Sequence, residues 1–250
     1  MNILLLPPKT IENNQAIITD IMQCQHVKQV LKSNVGDVIK VGQLGGKIGT
    51  ANVSQITDTN IVLNNVKLTQ PPPSKLNLTV ILALPRPKVL RRLIMDMTAM
   101  GVKHIILVNS YKTQKSYWQS PMLNRLDEFV LEGLQQGVDT IPPKIELKKR
   151  FKPFVEDDLA GLMKHSDNSS DVAGLVAHPY TNNSWYDFFN KAIKQDTGLP
   201  PVLWIGAEGG WIDYEVALLK QHGCLPVSLG QRILRTEAVV NNMVGFWGMV

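Results

Sequence analysis

The chain has 250 residues, and its 44% hydrophobic and 19% charged content is typical of a soluble globular protein. No stretch approaches the roughly 20 consecutive apolar residues of a membrane-spanning helix, which argues against a membrane protein. Basic residues are concentrated in the middle of the chain, where residues 71–150 hold thirteen basic and six acidic side chains. This excess fits either a face that binds a polyanion such as RNA or a solvated lysine surface.

The N-terminal stretch MNILLLPPKT has no basic residue before its apolar run, so it predicts a first strand and not a signal peptide. Cys24 and Cys224 lie far apart in sequence and match no metal or redox spacing. We therefore expect two free thiols, a cytoplasmic location and no bound metal.

Residues 1–70 are predicted to form a small β-barrel with one short helix. The stretches VGDVIKVG, KIGTANVSQI and NIVLNNVKL are rich in β-branched residues and are separated by glycine-containing turns. A helix is predicted over residues 20–32, where Ile21, Val27 and Leu31 share one face. Three consecutive prolines at 71–73 then interrupt regular structure. We place the domain boundary there, with a first domain over 1–70 and a second over 74–250.

Residues 74–250 alternate between apolar strands and amphipathic helices. The predicted strands are LNLTVILAL, HIILVN, AGLVAHP, PVLWIG and LPVSLG, and the predicted helices cover 88–100, 121–136, 185–192, 213–222 and 236–247. This alternation predicts an α/β domain with a largely parallel sheet. Residues 167–171 are predicted to form a polar surface loop. The last helix carries an apolar set that fits either a dimer seam or the chain's own core: Val239, Val240, Met243, Val244, Phe246 and Trp247.

Two glycine-containing loops follow predicted strands near the C-terminus. The first, WIGAEGGW at 204–211, has three glycines within five residues, which lets the backbone approach a ligand closely or simply turn tightly. The second, SLGQRILRTE at 228–237, has two arginines beside a helix start. Arginine forks suit phosphate or carboxylate recognition, but these two also fit an ordinary helix cap with surface charges.

Together these two loops resemble the paired signature GPEGG and LGxRILRTETA of the 16S ribosomal RNA uridine N3-methyltransferases, which are SPOUT-class enzymes. The stretch LALPRPKVLRRLIMDMTAMGVKHIILV resembles that family's LPKPxRxE and ATELGVxxI segment. The early run HVKQVL with Gly36 and Asp37 also resembles its N-terminal HxxxVLR and GD pattern. The resemblance covers nearly the whole chain.

The resemblance implies a SPOUT-type α/β fold whose parallel sheet ends in a C-terminal trefoil knot, preceded by a PUA-like β-barrel that helps to grip RNA. It implies S-adenosylmethionine as cofactor, RNA of the small ribosomal subunit as partner and a homodimer. No membrane and no metal are expected. The implied chemistry is methylation of uridine at N3.

The resemblance also implies roles for individual residues. The implied cofactor-binding residues are Leu175, Ala177, Leu203, Ile205, Gly206, Glu208, Gly210, Leu229, Gly230, Ile233, Leu234 and Arg235. Arg235 is the first catalytic candidate, followed by Arg232 and Glu237. The implied RNA contacts are Lys28, Lys32, Arg86, Lys88, Arg91 and Arg92.

The chain departs from the family pattern at several positions. Ala207 and Gln231 replace two loop prolines, Ala238 replaces a threonine, and Lys32 replaces an arginine. In LEGLQQGVDT, Gln135 replaces a glutamate and Asp139 replaces an arginine, at a position expected to face the substrate or a neighbouring helix. Two other functions therefore stay open. One is a diverged paralogue that binds RNA without methyl transfer, for example in ribosome assembly, and the other is a ribose 2′-O-methyltransferase.

Overall fold

The computed structural model describes residues 2–163 and 172–249, which cluster into two compact units. The first unit comprises Met1–Ser74 together with Val130–Pro142, and the second comprises Lys75–Phe129 together with Pro143–Val250. The polar loop predicted at 167–171 lies outside the described residues.

A six-stranded sheet forms the body of the first unit. Its strands are β1 Leu4–Leu6, β2 Ile11–Glu12, β3 Gln15–Ile18, β4 Val38–Gln43, β5 Ile48–Ile56 and β6 Ile61–Gln70. They lie in the order β1-β4-β5-β6-β3-β2, with β1 parallel to β4 and the other neighbours antiparallel. In residues 2–74, β1 and β2 are therefore edge strands, whereas the barrel predicted from the sequence would have none. Helix α1, Ile21–Gln25, begins after Asp20, whose side chain accepts a hydrogen bond from the backbone N–H of Gln23, and it continues as a π-helical turn over His26–Val30.

Residues 130–142 join the first unit through backbone hydrogen bonds. The N–H of Asn2 donates to the carbonyl of Gln135 at 2.8 Å, and the N–H of Gly45 donates to the carbonyl of Thr140 at 2.8 Å. Asp139 is buried, and its Oδ1 accepts the backbone N–H groups of Thr140 at 2.6 Å and Ile141 at 3.0 Å. The carboxylate of Asp139 thus caps its own turn, and its expected position opposite the substrate or a neighbouring helix stays a prediction.

The second unit is built on a six-stranded, entirely parallel sheet, which confirms the predicted α/β class. Its strands are β7 Leu76–Ala83, β8 Val102–Val108, β9 Lys144–Lys148, β10 Gly174–Ala177, β11 Val202–Ile205 and β12 Cys224–Val227. They lie in the order β12-β10-β11-β7-β8-β9. Its helices are α2 Pro87–Ala99, α4 Phe151–Pro153, α5 Leu159–Met163, α6 Trp185–Gln195, α7 Asp213–Gln221 and α8 Thr236–Trp247. Helix α3, Leu126–Gly137, begins in this unit, and its residues from Val130 onward belong to the first.

The apolar face of α8 packs mainly into the chain's own core. Val240, Met243 and Val244 are fully buried, and the buried Trp247 donates its indole N–H to the carbonyl of Pro200 at 3.2 Å. Val239 is only partly buried. The intramolecular alternative therefore accounts for most of the apolar set that the sequence also allowed as a dimer seam.

Both cysteines are free and buried, and burial raises the pKa of Cys224 to about 12. This thiol therefore stays protonated and behaves as a packed apolar group. Across residues 2–163 and 172–249, no helix has the length and apolar content needed to cross a membrane.

Candidate active site

A cavity of about 520 Å³ opens in the second unit at the carboxyl ends of three neighbouring strands. Ala177, Ile205 and Val227 are the last residues of β10, β11 and β12, and all three line it. The carboxyl ends of parallel strands leave backbone groups free for a ligand. The volume lies within the range of about 300–1,000 Å³ that is usual for small-molecule sites.

The first glycine loop forms one wall of this cavity. Gly210 has a φ of +66°, and its N–H donates to the carbonyl of Ala207 at 2.8 Å, which closes a tight turn. A Cβ atom on Gly206 would lie 3.0 Å from the Cα of Gly210, so any other residue would push the backbone of this loop apart. Lys112, in the segment after β8, donates from Nζ to the carbonyl of Gly209 at 2.8 Å and braces the turn.

The second loop forms the opposite part of the lining and is tied to the first. Its start is fixed by Ser228, whose hydroxyl accepts the N–H of Gly230 at 3.2 Å and donates to the carbonyl of Gly230 at 3.0 Å. Its end is fixed by Thr236, the first residue of α8, whose hydroxyl donates to the carbonyl of Gly206 at 3.3 Å. The two loops that the sequence singled out therefore enclose a single cavity.

Most of the predicted cofactor residues lie around this cavity. Those that line it are Ala177, Ile205, Gly206, Glu208, Gly210, Leu229, Gly230, Ile233, Leu234 and Arg235. Leu175 and Leu203 are different, because they pair in register inside the sheet and are fully buried. Each lies two residues before the last residue of its strand, which is Ala177 or Ile205. Leu175 and Leu203 therefore lie farther from the carboxyl end of the sheet, and neither side chain reaches the cavity.

The three predicted catalytic residues also line the cavity. Arg232 and Arg235 are exposed, and Arg235 immediately precedes α8. Glu237 lies in the first turn of α8, with its Oε1 3.7 Å from a guanidinium nitrogen of Arg92. The arrangement presents two arginine side chains toward any anionic group that enters the cavity.

Four predicted RNA contacts lie at the start of α2. The backbone N–H of Arg86 donates to Oε1 of Glu208 at 3.1 Å, and its Nε lies 4.0 Å from the same oxygen, which joins α2 to the first glycine loop. Arg86 lines the cavity. Lys88, Arg91 and Arg92 follow on α2 with exposed side chains.

In the first unit, Lys28 and Lys32 differ from each other. Lys28 donates from Nζ to the backbone carbonyls of Thr57 and Asp58, the latter at 3.2 Å. Its ammonium group is occupied within the unit, which argues against the predicted phosphate contact. Lys32 is exposed, with a φ of +50°.

Three polar or aromatic side chains that line the cavity from outside the two glycine loops were not predicted as site residues: Lys112, His178 and Tyr180. His178 and Tyr180 follow β10 directly, and their rings meet edge to face with centroids 5.6 Å apart. Partial burial lowers the pKa of His178, Asp213 opposes that effect and Lys112 adds to it, so the imidazole is neutral at pH 7. The available signal was that His178 lies within the predicted strand AGLVAHP and Tyr180 directly follows it.

The lining offers no metal ligand set. In the part of the chain that the structure describes, no group of three His, Cys, Asp or Glu side chains is arranged to hold a metal ion.

Comparison with known proteins identifies a family. A family model described as an RNA methyltransferase domain matches residues 72–243. The chain is 29% identical over 243 residues to ribosomal RNA small subunit methyltransferase E of Treponema pallidum, covering 95% of this chain and 86% of that protein.

Solved structures share the fold. One is a ribosomal RNA small subunit methyltransferase E from Neisseria gonorrhoeae bound to S-adenosyl methionine, with a TM-score of 0.72, 19% identity, and coverage of 98% of this chain and 95% of that one. Another is a methyltransferase from Legionella pneumophila in complex with the cofactor SAM, with a TM-score of 0.73, 18% identity, and coverage of 99% and 97%. At these identities the likeness concerns the fold.

Proposed function

This chain belongs to the RNA methyltransferase domain family, and from that premise we propose that it methylates RNA of the small ribosomal subunit with S-adenosylmethionine as donor. We further propose that the acceptor is N3 of a uridine. The observation that carries the proposal is the single cavity enclosed by the two C-terminal loops at the ends of β10, β11 and β12.

The residues present fit this cofactor. Gly206 and Gly210 carry no side chain, which lets a ligand approach the backbone of this loop closely. Ile205, Leu229 and Val239 add apolar surface to the same lining. When bound, the cofactor supplies an electrophilic methyl group on its sulfonium.

The protein contributes to the reaction by positioning the two reactants and by stabilising the charge that develops on the acceptor. Alignment of two reactants in one site lowers a barrier by about 7–11 kcal/mol in well-oriented cases. Arg235, with Arg232 beside it, stabilises the negative charge that develops on the uridine ring as its imino proton leaves. Glu237 is held by Arg92 and acts by keeping the loop and α2 together.

The remaining parts of the proposal concern RNA and assembly. Residues 1–70 act as a PUA-like RNA-binding domain, and residues 74–250 act as the catalytic domain and carry a C-terminal trefoil knot. Exposed residues that contact phosphates are Lys32, Arg86, Lys88, Arg91 and Arg92. The protein works as a cytoplasmic homodimer.

Two measurements test the proposal in sequence. Calorimetry with S-adenosylmethionine should show micromolar binding, and no binding would favour an RNA-binding paralogue. Mass spectrometry of small-subunit RNA from a deletion strain should then show one unmethylated uridine. Loss of a ribose methyl group instead would identify a 2′-O-methyltransferase.

A variant tests the role of Arg235. Arg235→Ala should retain the fold but lower kcat by about 100-fold, the usual effect of removing one group that stabilises developing charge. Arg150→Ala, which removes an exposed arginine outside the cavity lining, is the matched control. Normal turnover of Arg235→Ala would refute the assignment.

A further inference from the structure

Methylation of a ring nitrogen that carries a proton requires a group that accepts this proton. Among the residues that line the cavity, the side chains suited to this task near neutral pH are Glu208, Glu237 and His178. The two carboxylates are occupied, since Glu208 accepts the backbone N–H of Arg86 and Glu237 faces the guanidinium of Arg92. Each carboxylate therefore already has a partner in the structure. His178 is the remaining acceptor.

The surroundings of His178 keep its imidazole neutral and fix its backbone. Its backbone N–H donates to the carbonyl of Val227 at 3.0 Å, which fastens the end of β10 to β12. The charged groups that act on the ring are Asp213, in the first turn of α7, and Lys112, in the segment after β8. Burial has the largest effect and lowers the pKa of His178, with Lys112 in the same direction and Asp213 opposed. A neutral imidazole has a free lone pair for a proton.

Tyr180 supplies an aromatic surface beside that acceptor. Its side chain is 79% exposed although it lines the cavity, and its ring lies 5.6 Å from the ring of His178 at an angle of 78°. Enzymes that modify a base take it out of the RNA stack, and aromatic side chains then replace the lost stacking partners. An exposed tyrosine two residues from the acceptor meets this requirement.

We propose that His178 and Tyr180 form the receptor for the target base, Tyr180 by stacking on its ring and His178 by accepting the proton of the nitrogen to be methylated. This inference rests on the proposed function. In the reaction, the N3–H bond breaks and its proton passes to the imidazole, while the nitrogen lone pair forms a bond to the methyl carbon. The carbon–sulfur bond breaks with its electron pair left on sulfur, and the imidazolium later releases the proton to water.

The pH dependence of His178→Gln tests the acceptor, with small ribosomal subunits from the deletion strain as substrate. We expect kcat to fall by about 10²–10⁴-fold. The KM for subunits and the Kd for S-adenosylmethionine should stay within about twofold. Wild-type kcat should decline at a pH below the ordinary histidine value of about 6.5, because burial lowers the pKa of His178 and an imidazolium cannot accept a proton. The variant should instead gain rate steadily with pH, since hydroxide then removes the proton.

Rescue and a matched control complete this test. Added imidazole should restore part of the activity of His178→Ala and none of Arg235→Ala. His222→Gln, at the end of α7 with its ring against the carbonyl of Leu218, should behave as wild type. A purely structural role for His178 would not produce the change in pH profile or the rescue.

Tyr180 is tested by a split between KM and kcat. Tyr180→Ala should raise the KM for subunits by about ten- to a hundredfold, the usual loss for one stacked base. Tyr180→Phe should keep wild-type values, because the ring and not the hydroxyl carries the contact. Tyr186→Ala, an exposed tyrosine on α6, is the control.

The outcomes separate this inference from the proposed function. If wild-type protein binds S-adenosylmethionine and methylates subunits while His178→Gln retains its rate and pH profile, the receptor assignment is overturned and the function stands. If Tyr180→Ala leaves KM unchanged, the stacking part is overturned. If the wild-type protein transfers no methyl group, both proposals fall.

Discussion

At Gly206 an added methyl group would meet backbone, 3.0 Å from the Cα of Gly210 and 3.2 Å from its carbonyl carbon. Neither atom can rotate away, so Gly206→Ala should widen the first loop and weaken S-adenosylmethionine binding by at least about tenfold. Gly245→Ala is the matched control, because its Cβ would enter open space on α8 and should stabilise the helix by about 0.5–1 kcal/mol. Calorimetry and thermal unfolding of both variants check the pair. Equal affinity of Gly206→Ala and wild type would contradict the loop assignment.

Thr236 is a second residue on which the cavity depends. Its hydroxyl donates a hydrogen bond to the carbonyl of Gly206 and so links the two loops. Thr236→Val removes this donor while keeping the shape of the side chain. We expect a loss of about 1 kcal/mol in unfolding free energy and about fivefold in cofactor affinity. Thr236→Ser retains a hydroxyl and should recover most of both. Chemical denaturation and calorimetry measure the two effects, and an unaffected Thr236→Val protein would show that the loops hold together without this bond.

At the scale of elements, the sequence predicted the strong apolar patterns and missed the weak ones. Strands β7, β8, β10, β11 and β12 were found because their residues are almost continuously apolar, as a buried parallel strand requires. Strand β9, Lys144–Lys148, was missed because three of its five residues are charged, which is typical of the edge position that it occupies. The helical stretch after it carries Pro153 and three acidic residues, which masked the buried positions of Phe151, Phe154 and Leu159.

The pairing of β8 with β9 makes stability depend on pH. His104 is buried on β8, with its Nε2 3.1 Å from Oε1 of Glu146 on β9, where Lys144 and Lys148 also lie. Burial is the largest effect and lowers the pKa of His104. The unfolded chain therefore binds this proton first as the pH falls below about 6.5, and stability decreases there. Urea unfolding between pH 7.5 and 5.5 should show this decrease, and His104→Gln should reduce it; an identical slope in the variant would exclude His104 as the source.

At the scale of the whole molecule, backbone contacts determine which segments belong to the same unit, and this could not be predicted from the sequence. Residues 130–142 join the first unit through carbonyls of Gln135 and Thr140, and no side-chain pattern announces such bonds. The two glycine loops were recognised from their composition, but only the family resemblance predicted that they form one cofactor site. His178 and Lys112 were missed because they follow different strands and meet only in the folded chain. Side-chain periodicity thus predicts which segments form strands and helices. Predicting the site also requires the order of the strands in the sheet, because that order decides which loops lie side by side.

The uneven charge of the chain leads to a prediction about RNA binding as a whole. If phosphate contacts lie along α2, the affinity for ribosomal RNA should fall steeply as salt rises, since bound RNA releases its counterions. Lys88→Ala should lower the slope of log K against log salt by about one, and its exposed position predicts little change in stability. Lys28→Ala should leave the slope unchanged, because the Lys28 ammonium group already bonds two backbone carbonyls in the first unit. Lys194→Ala on α6 controls for net charge alone. Equal slopes for the Lys88 and Lys194 variants would mean that RNA responds to the overall charge and not to α2.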